Sequence, residues 1–230
     1  MIVTTNQDLP FGGTPVSART KAKRDMIVDA AMKAFAENGY QGARVEDLAN
    51  ELGVAKGSIF QYFGTKEGLF FAAYQRAVEV LPTWLDAPED ILDEGFFSTL
   101  HYWLEQTEHL MREDWIPSRV TLIGNYGTDL SLKREINRFL SDDPYGTRAF
   151  VKYGYERGEV REDIDEEMVV AMVDWMMERF QDAAITDELD PGLFYKGGDT
   201  TEKRIRRIEQ FEELIRSAIG KQAEHTAPTA

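Results

Sequence analysis

Residues 30–70 read AAMKAFAENGYQGARVEDLANELGVAKGSIFQYFGTKEGLF, and their spacing decides the fold. Ile27, Ala30, Ala31, Ala34 and Phe35 recur at helical spacing, with Thr20 as the expected N-cap of the first helix. Asn38-Gly39 stops that helix, because both residues tolerate the left-handed backbone needed just past a helix end. A second, shorter pattern in Val45, Leu48, Ala49 and Leu52 is stopped by Gly53, and a third runs from Lys56 to Phe63 and ends at Gly64. The fourth starts after Thr65, a suitable N-cap, and passes through Leu69, Phe70, Ala73 and Val78 to Pro82. Short helices joined by a tight Leu52-Gly53-Val54 turn describe a helix-turn-helix, in which the second helix of the pair enters the major groove and the first braces it. That second helix, KGSIFQYF, contains no acid. Lys56 is expected to meet phosphate, Ser58 and Gln61 to hydrogen-bond base edges or phosphates, Tyr62 to reach phosphate through its hydroxyl, and Phe60 to touch a thymine methyl. Ile59 and Phe63 are expected to face the three-helix core.

This stretch resembles the N-terminal domain of TetR-type transcriptional regulators. The resemblance rests on Phe35, Gly39-Tyr40, Val45-x-x-Leu48-Ala49, Gly53-Val54-x-Lys56-Gly57-x-Ile59-Phe60-x-Tyr62-Phe63 and Lys66-Glu67-x-Leu69, without a gap over residues 20–80. It implies backbone contacts from Lys56, Tyr62 and Lys66, the last at a helix start where free N–H groups also attract phosphate. Two departures shift which operator is read. Ala43-Arg44 stand where the family commonly has Thr or Ser, so Arg44 keeps a phosphate contact without the cap. Phe60 replaces the usual Tyr and loses its hydroxyl contact. Glu156-Arg157-Gly158-Glu159-Val160-Arg161-x-Asp163 is similar to a turn often seen before the family's penultimate helix.

The net charge of −15 argues against a nucleic-acid partner until it is divided along the chain. Residues 17–68 hold eight basic and seven acidic side chains, so almost the whole imbalance lies beyond residue 68. Two parts with different electrostatic roles follow. The absence of cysteine excludes disulfides, iron–sulfur clusters and cysteine nucleophiles. No apolar leader and no membrane-length apolar run is found, which places the expected protein in the cytoplasm with no membrane partner.

Beyond Pro82 the helical patterns lengthen: Ile91 to Arg112, Asp114 to Tyr126, Leu130 to Arg157 with a break near Asp143-Pro144, Glu166 to Ala184 and Thr201 to Ile219. The expected fold is all-α with about nine helices. Its expected domains are an arm over 1–18, a helix-turn-helix domain over 19–66 with the motif at about 44–63, a ligand-binding and dimerisation domain over 67–220, and a tail over 221–230. Trp103, Met111, Tyr126 and Met172 are the candidates to line a small-molecule pocket among the long helices. Met168, Met172, Trp175, Met176 and Phe180, with Ile205, Ile208, Phe211, Ile215 and Ile219, form apolar stripes on the last two helices. By resemblance these pair with their copies in a homodimer, of which Met168, Trp175, Ile208, Phe211 and Ile215 are the candidate contacts.

His101, Glu105, Glu108 and His109 share one helical stripe that needs a second helix to bind a metal, and His225 lies in the tail. A bridged di-metal site needs Glu-x-x-His from two helices, and position 106 is Gln. No nucleophile elbow, P-loop or dinucleotide glycine pattern occurs, so no metal, cofactor or catalytic residue is expected. The function read here is a ligand-responsive regulator, a repressor that a small molecule releases from palindromic double-stranded operator DNA. The alternative is a helical ligand- or partner-binding protein without a DNA role.

Overall fold

Local stop signals set most of the boundaries in the computed structural model, which describes residues 18–128 and 130–221. Among these residues lie α1 (Ala18–Gly42), α2 (Val45–Glu51), α3 (Lys56–Phe63), α4 (Lys66–Val80), α5 (Glu89–Glu94), α6 (Phe96–Glu113), α7 (Ile116–Tyr126), α8 (Leu130–Leu140), α9 (Thr147–Glu156), α10 (Glu166–Ile185) and α11 (Thr201–Ile219). The fold is all-α, its one β feature among the described residues being an isolated bridge between Val160 and Gly220. The expected arm and tail, His225 included, lie outside the described residues except for Ala18 and Lys221.

Three readings change. The chain is already helical at Ala18, so Thr20 sits inside α1 rather than capping it. The expected helix from Ile91 to Arg112 is two, because Gly95 takes φ 126° and a Cβ there would lie 2.3 Å from the Glu159 carboxylate. That carboxylate instead accepts from the Phe96 N–H at 3.1 Å, an anion at the start of α6 where the helix dipole favours it. The expected break near Asp143-Pro144 is real and longer than one kink. Asp143 adopts φ 57°, a conformation Asp tolerates better than most residues, and its carboxylate accepts from the Arg148 N–H at 3.1 Å in the first turn of α9. These two breaks account for the helices beyond nine.

Two apolar cores result. The first joins Ile27, Phe35, Ile59 and Phe70 to Val120 and Ile123 of α7 and to Leu132 and Ile136 of α8. The second gathers Phe96, Leu100, Phe150, Val173, Ile208 and Ile215. Packing around α1–α3 therefore runs on through α4 into α7 and α8. Ile208, Phe211 and Ile215, expected to face a partner, turn into their own chain's core, because α11 needs that stripe to pack against α6.

Candidate nucleic-acid interface and internal cavity

The α2–α3 turn is closed by its own backbone. Gly53 takes φ 62°, and the Val54 N–H donates to the Ala49 carbonyl at 3.0 Å. Glycine holds this left-handed position without the penalty a Cβ would bring. Arg44 precedes α2 with an extended backbone and no side-chain cap bond, while Glu46 and Asp47 occupy the first turn. At the far end Gly64 turns the chain, and the Thr65 hydroxyl caps α4 by accepting from the Gly68 N–H at 3.1 Å.

These turns fix which side chains of α3 leave the core. Ile59 is fully buried, Phe63 is half-buried against the same core, and Lys56 and Gln61 are exposed. Ser58, Phe60 and Tyr62 are half-buried, and both aromatics rest partly on the core. Arg44, Lys56, Phe60 and Lys66 line one surface depression together with Gln41 and Asn50; Ser58, Gln61 and Tyr62 lie outside it. Lys66 is held in place: its Nζ donates to the Gln41 carbonyl at 3.3 Å and stands 5.0 Å from the centre of the Tyr40 ring. Lys56 faces Glu46 at 3.7 Å, an exposed pair worth little.

A cavity lies between the two cores, with about 80 Å3 of space open to the centre of a water molecule. The end of α4 reaches it through Leu81 and Pro82, α6 supplies Trp103 and Met111, and α7 supplies Ser118, Thr121 and Asn125. Trp103 and Met111 therefore line the cavity as expected candidates, whereas Tyr126 and Met172 do not. The Tyr126 hydroxyl donates to Asp182 at 2.7 Å behind the wall, and Met172 packs on the second core. Sequence reading missed the cavity's acids. Asp174, Glu178 and Asp182 are spaced four residues apart on α10, which stacks them on one helical face; Asp143 joins from the α8–α9 turn. That repeat was visible in the sequence as a row of like charges, an arrangement unfavourable in an isolated helix. Burial pushes all four carboxyls above the usual carboxylate range, and Asp182 and Asp174 push Glu178 further.

The cavity is wired to α4. The fully buried Tyr74 donates its hydroxyl to Asn125 Oδ1 at 3.1 Å, and Asn125 Nδ2 donates to Glu178 at 2.8 Å. The α7 helix thus shows Val120 and Ile123 to the first core and Ser118, Thr121 and Asn125 to the cavity. The histidine stripe of α6 is a polar seam: His101 meets Glu212 at 2.9 Å and Glu105 at 3.4 Å, and among the described residues no group of three such side chains could hold a metal ion. Among them, too, no helix is long and apolar enough to cross a membrane. Met168 and Trp175 of α10 are 56% and 61% exposed, which leaves a bare apolar face on that helix.

A helix-turn-helix with an acid-free second helix, built onto an all-helical cavity domain, defines a DNA-binding regulator. Residues 27–73 match the family model described as "Bacterial regulatory proteins, tetR family". The HTH-type transcriptional repressor AcnR of Corynebacterium efficiens is 27% identical over 85% of this chain and 96% of its own. The Fatty acid metabolism regulator protein of Bacillus subtilis is 26% identical over 66% of this chain and 78% of its own. The structure of FadR from Bacillus subtilis in complex with stearoyl-CoA shares the fold, with a TM-score of 0.66 at 22% identity over 85% of this chain and 98% of its own. In its helix-turn-helix the chain is similar to the TetR family of bacterial regulators, and along most of its length it is similar to a named transcriptional repressor.

Proposed function

We propose that this protein is a homodimeric repressor of the cytoplasm, released from a palindromic operator by a small molecule that enters the cavity between its two cores. The observation that carries the reading is α7, which is shared by the helix-turn-helix core and the cavity wall. Lys56, Tyr62, Lys66 and Arg44 hold phosphates and fix the register, while Ser58, Gln61 and Phe60 read base edges. The bare Met168–Trp175 face of α10 supports pairing with a second copy, since a palindrome asks for two recognition helices about 34–36 Å apart. A ligand that shifts Glu178 or crowds Leu81 and Pro82 displaces α4, and with it α3. A small tilt then spoils one half-site without touching any reading residue. Such coupling is typically about 1–3 kcal/mol and reciprocal.

The test is selection of genomic fragments on the immobilised protein across a salt titration. The proposal expects one fragment, containing an inverted repeat, to persist as salt rises, because counterion release weakens all sequences but base contacts favour one. Equal loss of every fragment with salt would refute operator recognition.

A further inference from the structure

The lining of the cavity is charged with one sign only. Four carboxylates enter it and no Lys, Arg or His does. Their hydrogen bonds come from neutral groups: Thr147 to Asp174 at 3.2 Å, Asn125 to Glu178 at 2.8 Å, Tyr126 to Asp182 at 2.7 Å and the Arg148 backbone to Asp143 at 3.1 Å. Arg179, half exposed on α10, pairs with Asp182 at 3.9 Å, whereas Asp143, Asp174 and Glu178 have no ion-pair partner among the described residues. Opposite the acids, Ser118 is 2% exposed, and its hydroxyl has no hydrogen-bond partner. A buried hydroxyl left unpaired costs free energy, whereas the neighbouring Thr107 and Thr121 hydroxyls are satisfied by α6 and α7 carbonyls. Ser118 also borders an adjoining cleft, whose Arg112 and Arg204 are paired with Glu108 and Asp199.

We propose that the cavity takes an organic cation, an amine whose ammonium group is held by Asp174 and Glu178, whose apolar body lies against Trp103, Met111 and Met177, and which satisfies the Ser118 hydroxyl. The inference rests on the reading of this cavity as the effector site and names the chemistry that site selects. Buried carboxylates without a cationic partner are costly, and a bound ammonium supplies the missing charge in a low-dielectric site, where the pairing is strong. The acids are spread along two turns of α10 rather than converging, which suits a molecular cation and not a metal ion. A carboxylate or phosphate ligand would meet the same acids as repulsion. Likeness of fold to the stearoyl-CoA-bound FadR therefore does not extend to the ligand's charge. Burial raises the Asp174 and Glu178 carboxyls, and a neighbouring ammonium favours their charged form.

The experiment is calorimetric titration of the full chain with three probes of equal length: n-octylamine, 1-octanol and octanoate. Wild type is expected to bind n-octylamine saturably, at least tenfold more tightly than either other probe. Asp174→Asn and Glu178→Gln, which keep shape and the Thr147 and Asn125 hydrogen bonds, are expected to lose at least tenfold for the amine and nothing for octanol. Ser118→Ala is expected to lose severalfold. Thermal melts of each variant control for folding. Absence of saturable amine binding, amine affinity unchanged in both amide variants, or octanoate binding as tightly as the amine would each overturn the proposal. The effector reading is scored separately on the selected operator fragment. An anionic or neutral ligand that releases that fragment overturns the cation and leaves ligand-responsive repression standing.

Discussion

Replacing Gly124 with alanine is expected to weaken the protein, although the same change in an open helix strengthens one. Gly124 lies inside α7 at its closest approach to α4, and a Cβ there would stand 2.5 Å from Cδ2 and Cε2 of Tyr74 and 3.1 Å from Cδ1 of Ile136. The Tyr74 ring cannot retreat easily, because it is fully buried and its hydroxyl is tied to Asn125, the next residue of α7. Forcing extra atoms into a packed core costs about 1–3 kcal/mol. Alanine recovers about 1 kcal/mol of helix propensity. A contact this short on a pinned ring falls at the upper end, leaving a net loss of about 2 kcal/mol, or a fall of about 4–8 °C in melting temperature for a chain of this size. Gly57 of α3 is the internal control: nothing lies within 4 Å of a Cβ built there, and its φ is not positive. Gly57→Ala is expected to raise stability by about 0.5–1 kcal/mol. Melting curves followed by circular dichroism on the two variants and wild type decide the sign. A Gly124→Ala protein that melts at or above wild type would refute the close seating of α4 on α7, and with it the path from cavity to recognition helix.

At the operator, Lys66→Ala is expected to weaken all fragments alike and lower the salt slope by about one; Gln61→Ala is expected to cost about 1–3 kcal/mol on the preferred fragment and broaden the preference, both read by fluorescence anisotropy. Trp175→Glu is expected to yield a folded monomer in light scattering, whereas Ile208→Glu, which puts a charge into the second core, is expected to lose the fold; a stable dimer with Trp175→Glu would exclude the α10 face. The raised Asp174 carboxyl means that the native chain holds a proton which the unfolded chain releases, so this residue's contribution makes stability fall as pH rises from about 4 through its raised value. Arg148 lies beyond Thr147 and is held by Glu167, so it does not neutralise Asp174. Asp174→Asn is therefore expected to melt progressively higher than wild type as pH rises through that window, and a constant difference across it would refute the assignment.

The helix-turn-helix was legible because each of its boundaries is local. Gly53 and Gly64 turn the chain by their own backbone freedom, Thr65 caps the helix it precedes, and Ile59 is inward by helical spacing alone. Nothing distant is needed to fix them. The cavity was legible only in part. Trp103 and Met111 were found as bulky apolar residues on a long helix, but the same reasoning chose Tyr126 and Met172, which differ from them only in the direction they face after packing. The acids of α10 were not legible as a site, since a sequence shows the four-residue repeat and not the burial that changes its meaning.

What the sequence by itself determined is the all-helical class, the helix-turn-helix, its likeness to the TetR family and the separation of a near-neutral N-terminal segment from an acidic remainder. Each follows from periodicity, short-range turn chemistry or composition. Only the tertiary structure decided that Gly95 splits a helix to meet Glu159, that Ile208 and Ile215 serve their own core while Trp175 stays bare, and that Tyr74, Asn125 and Glu178 join α4 to the cavity. Those contacts span tens of residues along the chain, and they depend on which face of each helix the others cover. Amphipathic spacing defines a face, but only the packing of every helix at once determines what that face meets.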